Sequence, residues 1–292
     1  IYDKGLLYKG KSIQPYSPAA GTGLSTHELN QPGCYRDVKD TTAVAQFKVV
    51  RDEKSEFLYE QGVQPYFLAW TTTPWTLPSN TALCVGPNID YVRVLSTNPY
   101  TGEAGLYIVA QALVGAHFNP KKQEFTVLEG SLKGSELTGI SYEQLIPWFN
   151  PGEGAFKVIP GDYVTTEDGT GIVHIAPTFG ADDAKVARLA GVPGLQVVDR
   201  NGDLQAQVDL KGRFFCIEDL DPAYAEANMS PEYAEWAGRY VKNAYDATLP
   251  EDAPTLDVDI CVMLKQQNKA FRIEKHTHNY PHCWRTDKPA LY

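Results

Sequence analysis

Nowhere in the 292 residues does an apolar run approach the ~20 needed to cross a bilayer as a helix, and the opening Ile1-Tyr2-Asp3-Lys4-Gly5 lacks the charged-then-apolar layout of a signal peptide. Both absences lead to the expectation of a soluble, cytoplasmic protein with no membrane partner. Cysteine is sparse. Cys34, Cys84, Cys216, Cys261 and Cys283 are odd in number and scattered through a chain too large to depend on disulfide staples, so reduced thiols are expected. Positive charge is also in deficit: 26 Lys and Arg against 36 Asp and Glu give a formal charge of −10, which argues against broad, non-specific binding of nucleic acid. The deficit is uneven. From Cys261 to Tyr292, six basic residues (Lys265, Lys269, Arg272, Lys275, Arg285, Lys288) and two acidic ones (Glu274, Asp287) give +4 against −14 for the remainder, so any contact with an RNA backbone is expected to be local. There is no Gly-x-Ser-x-Gly elbow and no cysteine in a nucleophile's context. If the chain is an enzyme, water does the attacking.

What is present is a dense series of short strands. Val44–Val50, Tyr66–Trp70, Ala82–Val85, Tyr91–Leu95, Gly105–Ala110, Phe125–Leu128 and Gly171–Ala176 are β-branched or aromatic and bounded by Gly, Pro, Asn or Asp. Such repetition predicts an α+β, β-rich fold with a closed or sandwiched core and peripheral helices. Helices are expected from Asp182 to Gly191, after Asp221-Pro222, after Ser230-Pro231, and over Val258–Gln267, each start carrying acidic or capping residues or a first-turn proline. The alternation Ala270–Lys275 predicts a final strand. Residues 1–45 read as a lead-in, 46–255 as the core and 256–292 as a return segment, and the chain stops at Tyr292 with no helix stop or polar tail, as a piece of a longer protein would.

Two constellations could carry chemistry. In Trp70-Thr71-Thr72-Thr73-Pro74-Trp75-Thr76, strand alternation places Thr71 and Thr73 on one face and Thr72 on the other, and Pro74 ends the ladder, putting Trp75 and Thr76 at a rim. Hydroxyls there can hold a sugar hydroxyl or a water without charge, although a bare threonine triplet is more often an ordinary strand face. In Asp168-Gly169-Thr170-Gly171-Ile172-Val173-His174-Ile175-Ala176-Pro177, followed by Asp182 and Asp183, the order is turn, strand, break, helix. That is the wrong order for dinucleotide binding, which needs strand, glycines, then helix. A carboxylate at the strand-to-helix junction can grip an ammonium group; a helix cap is the commoner use. As an exposed first-turn residue, Asp183 is expected to be replaceable at little cost in stability. His276, His278, His282 and Cys283 invite zinc, but no Cys-x-x-Cys knuckle accompanies them, so neither metal nor cofactor is expected.

The two constellations, about a hundred residues apart, together resemble the editing insertion of the class I aminoacyl-tRNA synthetases for Ile, Val and Leu. The threonine motif through Asn80 and the Gly-Thr-Gly-x-Val-His-x-Ala-Pro motif ending in an aspartate look like the isoleucyl branch, since the valyl and leucyl branches typically carry an Arg in the threonine motif. Asn279-Tyr280-Pro281-His282-Cys283-Trp284-Arg285 is similar to the point where that insertion returns to the synthetic domain. Neither the His-Ile-Gly-His nor the KMSKS signature of the ATP-using domain is present, so the resemblance implies an editing fragment unable to activate amino acids.

The resemblance further implies a β-barrel-like editing domain with stems at 1–45 and 256–292 toward an absent Rossmann domain. Its activity would be hydrolysis of Val-tRNA-Ile, with valyl-adenylate as a further substrate, and its partners the tRNA-Ile acceptor end and the rest of the synthetase. Asp183 would bind the α-ammonium; Thr71, Thr72, Thr73 and Thr76 would position the terminal adenosine and the attacking water; His174 and Trp75 would limit the side chain. Trp70, Asn80, Gly171, Ala176 and Asp182 complete the implied substrate contacts. A valyl- or leucyl-type editing domain and a non-catalytic tRNA-binding module are the alternatives.

Overall fold

The computed structural model describes residues 2–7, 13–250 and 253–291. Ten strands form one mixed sheet. In chain order they are β1 (Tyr35–Lys48), β2 (Gln64–Thr71), β3 (Ala82–Val85), β4 (Asp90–Thr97), β5 (Ala104–Ala110), β6 (Phe125–Val127), β7 (Leu132–Lys133), β8 (Lys157–Pro160), β9 (Ile172–Ile175) and β10 (Ala270–Pro281). The longer helices are α1 (Ala181–Leu189), α2 (Pro222–Asn228) and α3 (Leu256–Gln266). The order along the sheet is β8-β3-β9-β2-β5-β4-β6, with β7 beside β4 and the β1–β10 pair branching from β2.

The branch point shapes the molecule. One edge of β2 pairs with β1 from Lys48↔Tyr66 to Ala43↔Thr71. Its other edge pairs with β5 from Gln64↔Gly105 to Phe67↔Ile108, and then, at Trp70↔Val173, with β9. A strand cannot have two full neighbours on one edge, so the sheet splits there and curls into a half-barrel. Phe47, Phe67, Tyr91 and Ile108 share one face of it, fully buried, while Tyr107 on the other face is buried against Phe118 and Phe271. Burying a large apolar side chain contributes roughly 1.5–3 kcal/mol, so this row anchors the curl from which the threonine stretch emerges.

The expected strands are all present, and the final one runs six residues beyond its alternating part. The lead-in is less irregular than its composition predicts: β1 begins at Tyr35, and the boundary expected at residue 45 falls inside it. The reason is pairing. β10 runs antiparallel to β1 from Arg272↔Val44 to Pro281↔Tyr35, which satisfies backbone groups in a segment with little apolar periodicity of its own. Asp221 caps α2 as expected, whereas Ser230-Pro231 opens only a 3-10 turn, Pro231–Glu235.

Candidate functional site

Thr71 ends β2, and Pro74, which has no N–H to continue a ladder, starts a 3-10 turn over Pro74–Ser79. The Thr73 N–H donates to Thr71 Oγ1 at 3.1 Å and the two hydroxyls lie 3.4 Å apart, but Thr73 lies beyond the end of β2, and Thr72, expected to face away, lines the same cavity as Thr73. Thr76 Oγ1 donates to the Thr73 carbonyl at 2.8 Å and sits 3.1 Å from His174 Nε2. A hydroxyl has a single proton to give. With that proton committed to Thr73, Thr76 accepts from His174, and the ring proton belongs on Nε2. Burial lowers the His174 pKa to about 4, so the ring is neutral at neutral pH, and its Nδ1 is buried with no hydrogen-bond partner. His174 is therefore a donor and a wall, with no accessible lone pair to collect a proton.

The second constellation meets the first because β9 lies beside β2. Gly171 holds φ +73°, and a Cβ there would stand 2.4 Å from Ala110 Cβ, so only glycine lets the motif turn against β5. After Ala176-Pro177 the chain enters α1 with Gly180 at the cap position, and glycine offers no capping side chain. Asp183 reaches back instead: its Oδ2 accepts the Ala176 N–H at 2.9 Å. A Cβ on residue 180 would lie 2.7 Å from Asp183 Cγ, so the glycine leaves room for the carboxylate. Asp183 is half-buried rather than exposed as expected, because this bond draws it under the turn. Burial raises its pKa, the Ala176 N–H draws it down, and nearby Asp182 pushes it up. A bound cation would relieve both raising effects.

These groups line one cavity of about 330 Å³. Thr72, Thr73, Thr76, His174, Ala176, Phe179, Gly180 and Asp183 line it together with His278, Asn279 and Tyr280 of β10. A second cavity of about 390 Å³ shares Thr72, His174 and Asp183 and adds Trp70, Thr71 and Gly171.

Three of the expected site residues, Trp75, Asn80 and Asp182, line neither cavity. Trp75 and Thr76, expected at a rim, are 1% and 5% exposed, because the 3-10 turn folds under the sheet rather than projecting from it. Thr76 still reaches the cavity, but Trp75 stands behind Phe179, edge-on at 5.0 Å, and Phe179 takes its place in the wall. Asn80 is consumed by the fold: it accepts the Tyr142 hydroxyl at 2.6 Å and donates to the Ala82 carbonyl at 2.8 Å. Asp182 is exposed on the solvent side of α1.

Phe179, His278, Asn279 and Tyr280 are wall residues that the motifs do not reveal. His278, which in the sequence invites zinc, places its Nε2 3.2 Å from Asp40 Oδ2, while His282 Nδ1 lies 2.9 Å from the Tyr280 carbonyl. Among the described residues, no group of three or more His, Cys, Asp or Glu is arranged to hold a metal ion.

The chain is 62% identical over 306 residues to an isoleucine–tRNA ligase of Bacteroides fragilis and 61% identical over 308 residues to that of Porphyromonas gingivalis, matched along its whole length in both cases. The chain belongs to the isoleucyl-tRNA synthetase family. It spans 27% of the length of each of those relatives. A crystal structure described as GlLeuRS-CP1 matches 80% of the chain and 99% of its own, at 17% identity and a TM-score of 0.50, so the shared property is the fold. The half-barrel is thus the fold of that CP1 structure. No family model matches the chain.

Proposed function

We propose that this synthetase domain is an editing hydrolase that cleaves the aminoacyl ester of valine on tRNA-Ile, and valyl-adenylate in the same cavity. The observation that carries the reading is the meeting, in one cavity, of the Asp183 carboxylate with the uncharged donors and acceptors of Thr72, Thr73 and Thr76. Asp183 takes the substrate's α-ammonium, an interaction that offsets the burial of both charges. Thr71, Thr72, Thr73 and Thr76 orient the ribose and the attacking water. His174 and Phe179 limit the side chain, with Trp75 buttressing Phe179.

The water oxygen bonds to the ester carbonyl carbon and the bond to the ribose oxygen breaks. The products are free valine and the tRNA hydroxyl. The ester is already activated, so orientation and fixed dipoles supply the rate enhancement without a protein nucleophile. Selection by two sieves is a principle for which this family is itself the standard illustration: one methylene gives the synthetic site too little discrimination, and a smaller second site removes what the first admits. The partners on this reading are the tRNA-Ile acceptor end and the remainder of the synthetase, and the setting is the cytoplasm. A deacylation assay comparing Val-tRNA-Ile, Thr-tRNA-Val and Ile-tRNA-Ile tests it. Preference for Thr-tRNA-Val would overturn the isoleucyl assignment, and tight, salt-sensitive tRNA binding without cleavage would make the domain a binding module.

A further inference from the structure

Lys242 lines neither cavity, its side chain is only 12% exposed, and three groups surround its ammonium: Asp40 Oδ2 at 3.0 Å, Asp257 Oδ2 at 3.7 Å, and the Tyr280 ring, whose centroid is 4.7 Å away. Burial works against that charge, and Asp257 and Asp40 nonetheless hold the Lys242 pKa above its ordinary value. Buried ion clusters contribute little net stability, since desolvation offsets the attraction. The connections of this one point elsewhere.

The other oxygen of Asp257 accepts the Trp75 N–H at 2.9 Å. That N–H belongs to the first turn of Pro74–Ser79, where Thr73 provides no side-chain cap. The turn that carries Thr76 is thus capped from α3. Asp40 Oδ2 also lies 3.2 Å from His278 Nε2, and His278 and Tyr280 line the same cavity from β10. One ammonium touches a support of each of these two parts of the cavity wall, the Thr76 turn and β10.

We propose that Lys242 is a positioning residue that fixes the width of the cavity, tying the Thr76 wall to the β10 wall through Asp257 and Asp40, and so determines which amino-acid side chain is admitted. The substrate in this statement rests on the editing reading; the geometry does not. Valine and isoleucine differ by one methylene, and a displacement of about 1 Å is enough to change a rate about a hundredfold.

Lys242→Met alone would strand two buried carboxylates, so it is combined with Asp40→Asn and Asp257→Asn, which keep an acceptor for the Trp75 N–H. Three quantities are measured on the 292-residue chain: hydrolysis of Val-tRNA-Ile and Ile-tRNA-Ile, the Trp75 amide resonance, and the melting temperature. The expected result is a folded triple variant whose preference for the valyl ester falls about tenfold or more, with hydrolysis of the isoleucyl ester rising in absolute terms and the Trp75 amide displaced. Lys242→Arg keeps the charge and most of the selectivity. Loss of stability by itself lowers both rates and cannot raise the isoleucyl one. A folded variant with the parental ratio and an unmoved amide overturns the proposal. If the triple variant does not fold, Lys242→Gln against Lys242→Arg carries the same comparison. If the parental chain cleaves neither ester, the editing reading fails, and the Trp75 amide still decides the positioning claim.

Discussion

Asp183 and Ala176 are joined across the break between β9 and α1 by a 2.9 Å hydrogen bond from the Ala176 N–H to the Asp183 carboxylate. The group placed to meet an ammonium is also a tie in the loop that presents it. Asp183→Ala is therefore expected to abolish deacylation and to destabilise the chain as well, by about 1–3 kcal/mol for a half-buried N–H left without its partner. Asp183→Asn keeps an acceptor and should recover most of that stability with none of the activity. Denaturant unfolding beside a deacylation assay reads both; a variant that still deacylates at the parental rate rules out the ammonium anchor.

The His174–Thr76–Thr73 chain makes a narrower prediction. Thr76→Val removes the hydroxyl that accepts from His174 Nε2 and donates to the Thr73 carbonyl. It should cost about 1–3 kcal/mol and reduce deacylation, while Thr76→Ser restores both. Equal stability of the Val and Ser variants would show that the hydroxyl bonds nothing in the folded state.

Gly180 offers a test that leaves every polar group in place. Its Cβ would stand 2.7 Å from Asp183 Cγ, so Gly180→Ala should displace the carboxylate and weaken binding of a non-hydrolysable valyl-adenosine analogue far more than it lowers the melting temperature. Unchanged affinity would mean that the carboxylate is not held where the analogue needs it.

Two buried groups pull the pH dependence of stability in opposite directions. Burial lowers His174 from 6.5 to about 4. Between those values the unfolded chain binds a proton that the folded chain refuses, so the contribution of His174 is complete above about pH 6.5 and is lost as pH falls toward 4. Burial raises Asp257 from 3.8 to about 6; its contribution is complete below 3.8 and is lost as pH rises through 6. His174→Asn should flatten the acid side of the stability curve, and Asp257→Asn should steepen it. Urea unfolding at intervals between about pH 4 and 7 checks the pair, and parallel curves for all three proteins would contradict both assignments.

Local elements are legible in the sequence to the extent that local physics makes them. Residues 106–110 read as a strand because they are apolar and β-prone, whereas the close approach to Ala110 that requires glycine at 171 is visible only in the fold. The strand-to-helix junction marks Asp182 and Asp183 alike, and only the resemblance to the editing insertion singles out Asp183. Its burial is not legible, because the Ala176 N–H that draws it inward is a contact of the folded turn. His278 and Tyr280 are out of reach for a stronger reason: nothing in the alternation of β10 names its partner, and only the register of Thr277 with Lys39 and His278 with Val38 carries them to the cavity that Asp183 lines. Trp75 departs from expectation in the other direction. Pro74 marks the end of the strand correctly, but whether the following turn folds inward or outward depends on Asp257, 182 residues later in the chain.

The β1–β10 ribbon has a mechanical consequence. Because Tyr35 and Pro281 are paired neighbours, the outer ends of β1 and β10 leave the sheet side by side as a two-stranded neck. A module whose two connections emerge together can be inserted at one point of a larger chain. The neck is also continuous with the strand that bears His278 and Tyr280, so any twist applied to it from outside arrives first at one wall of the cavity.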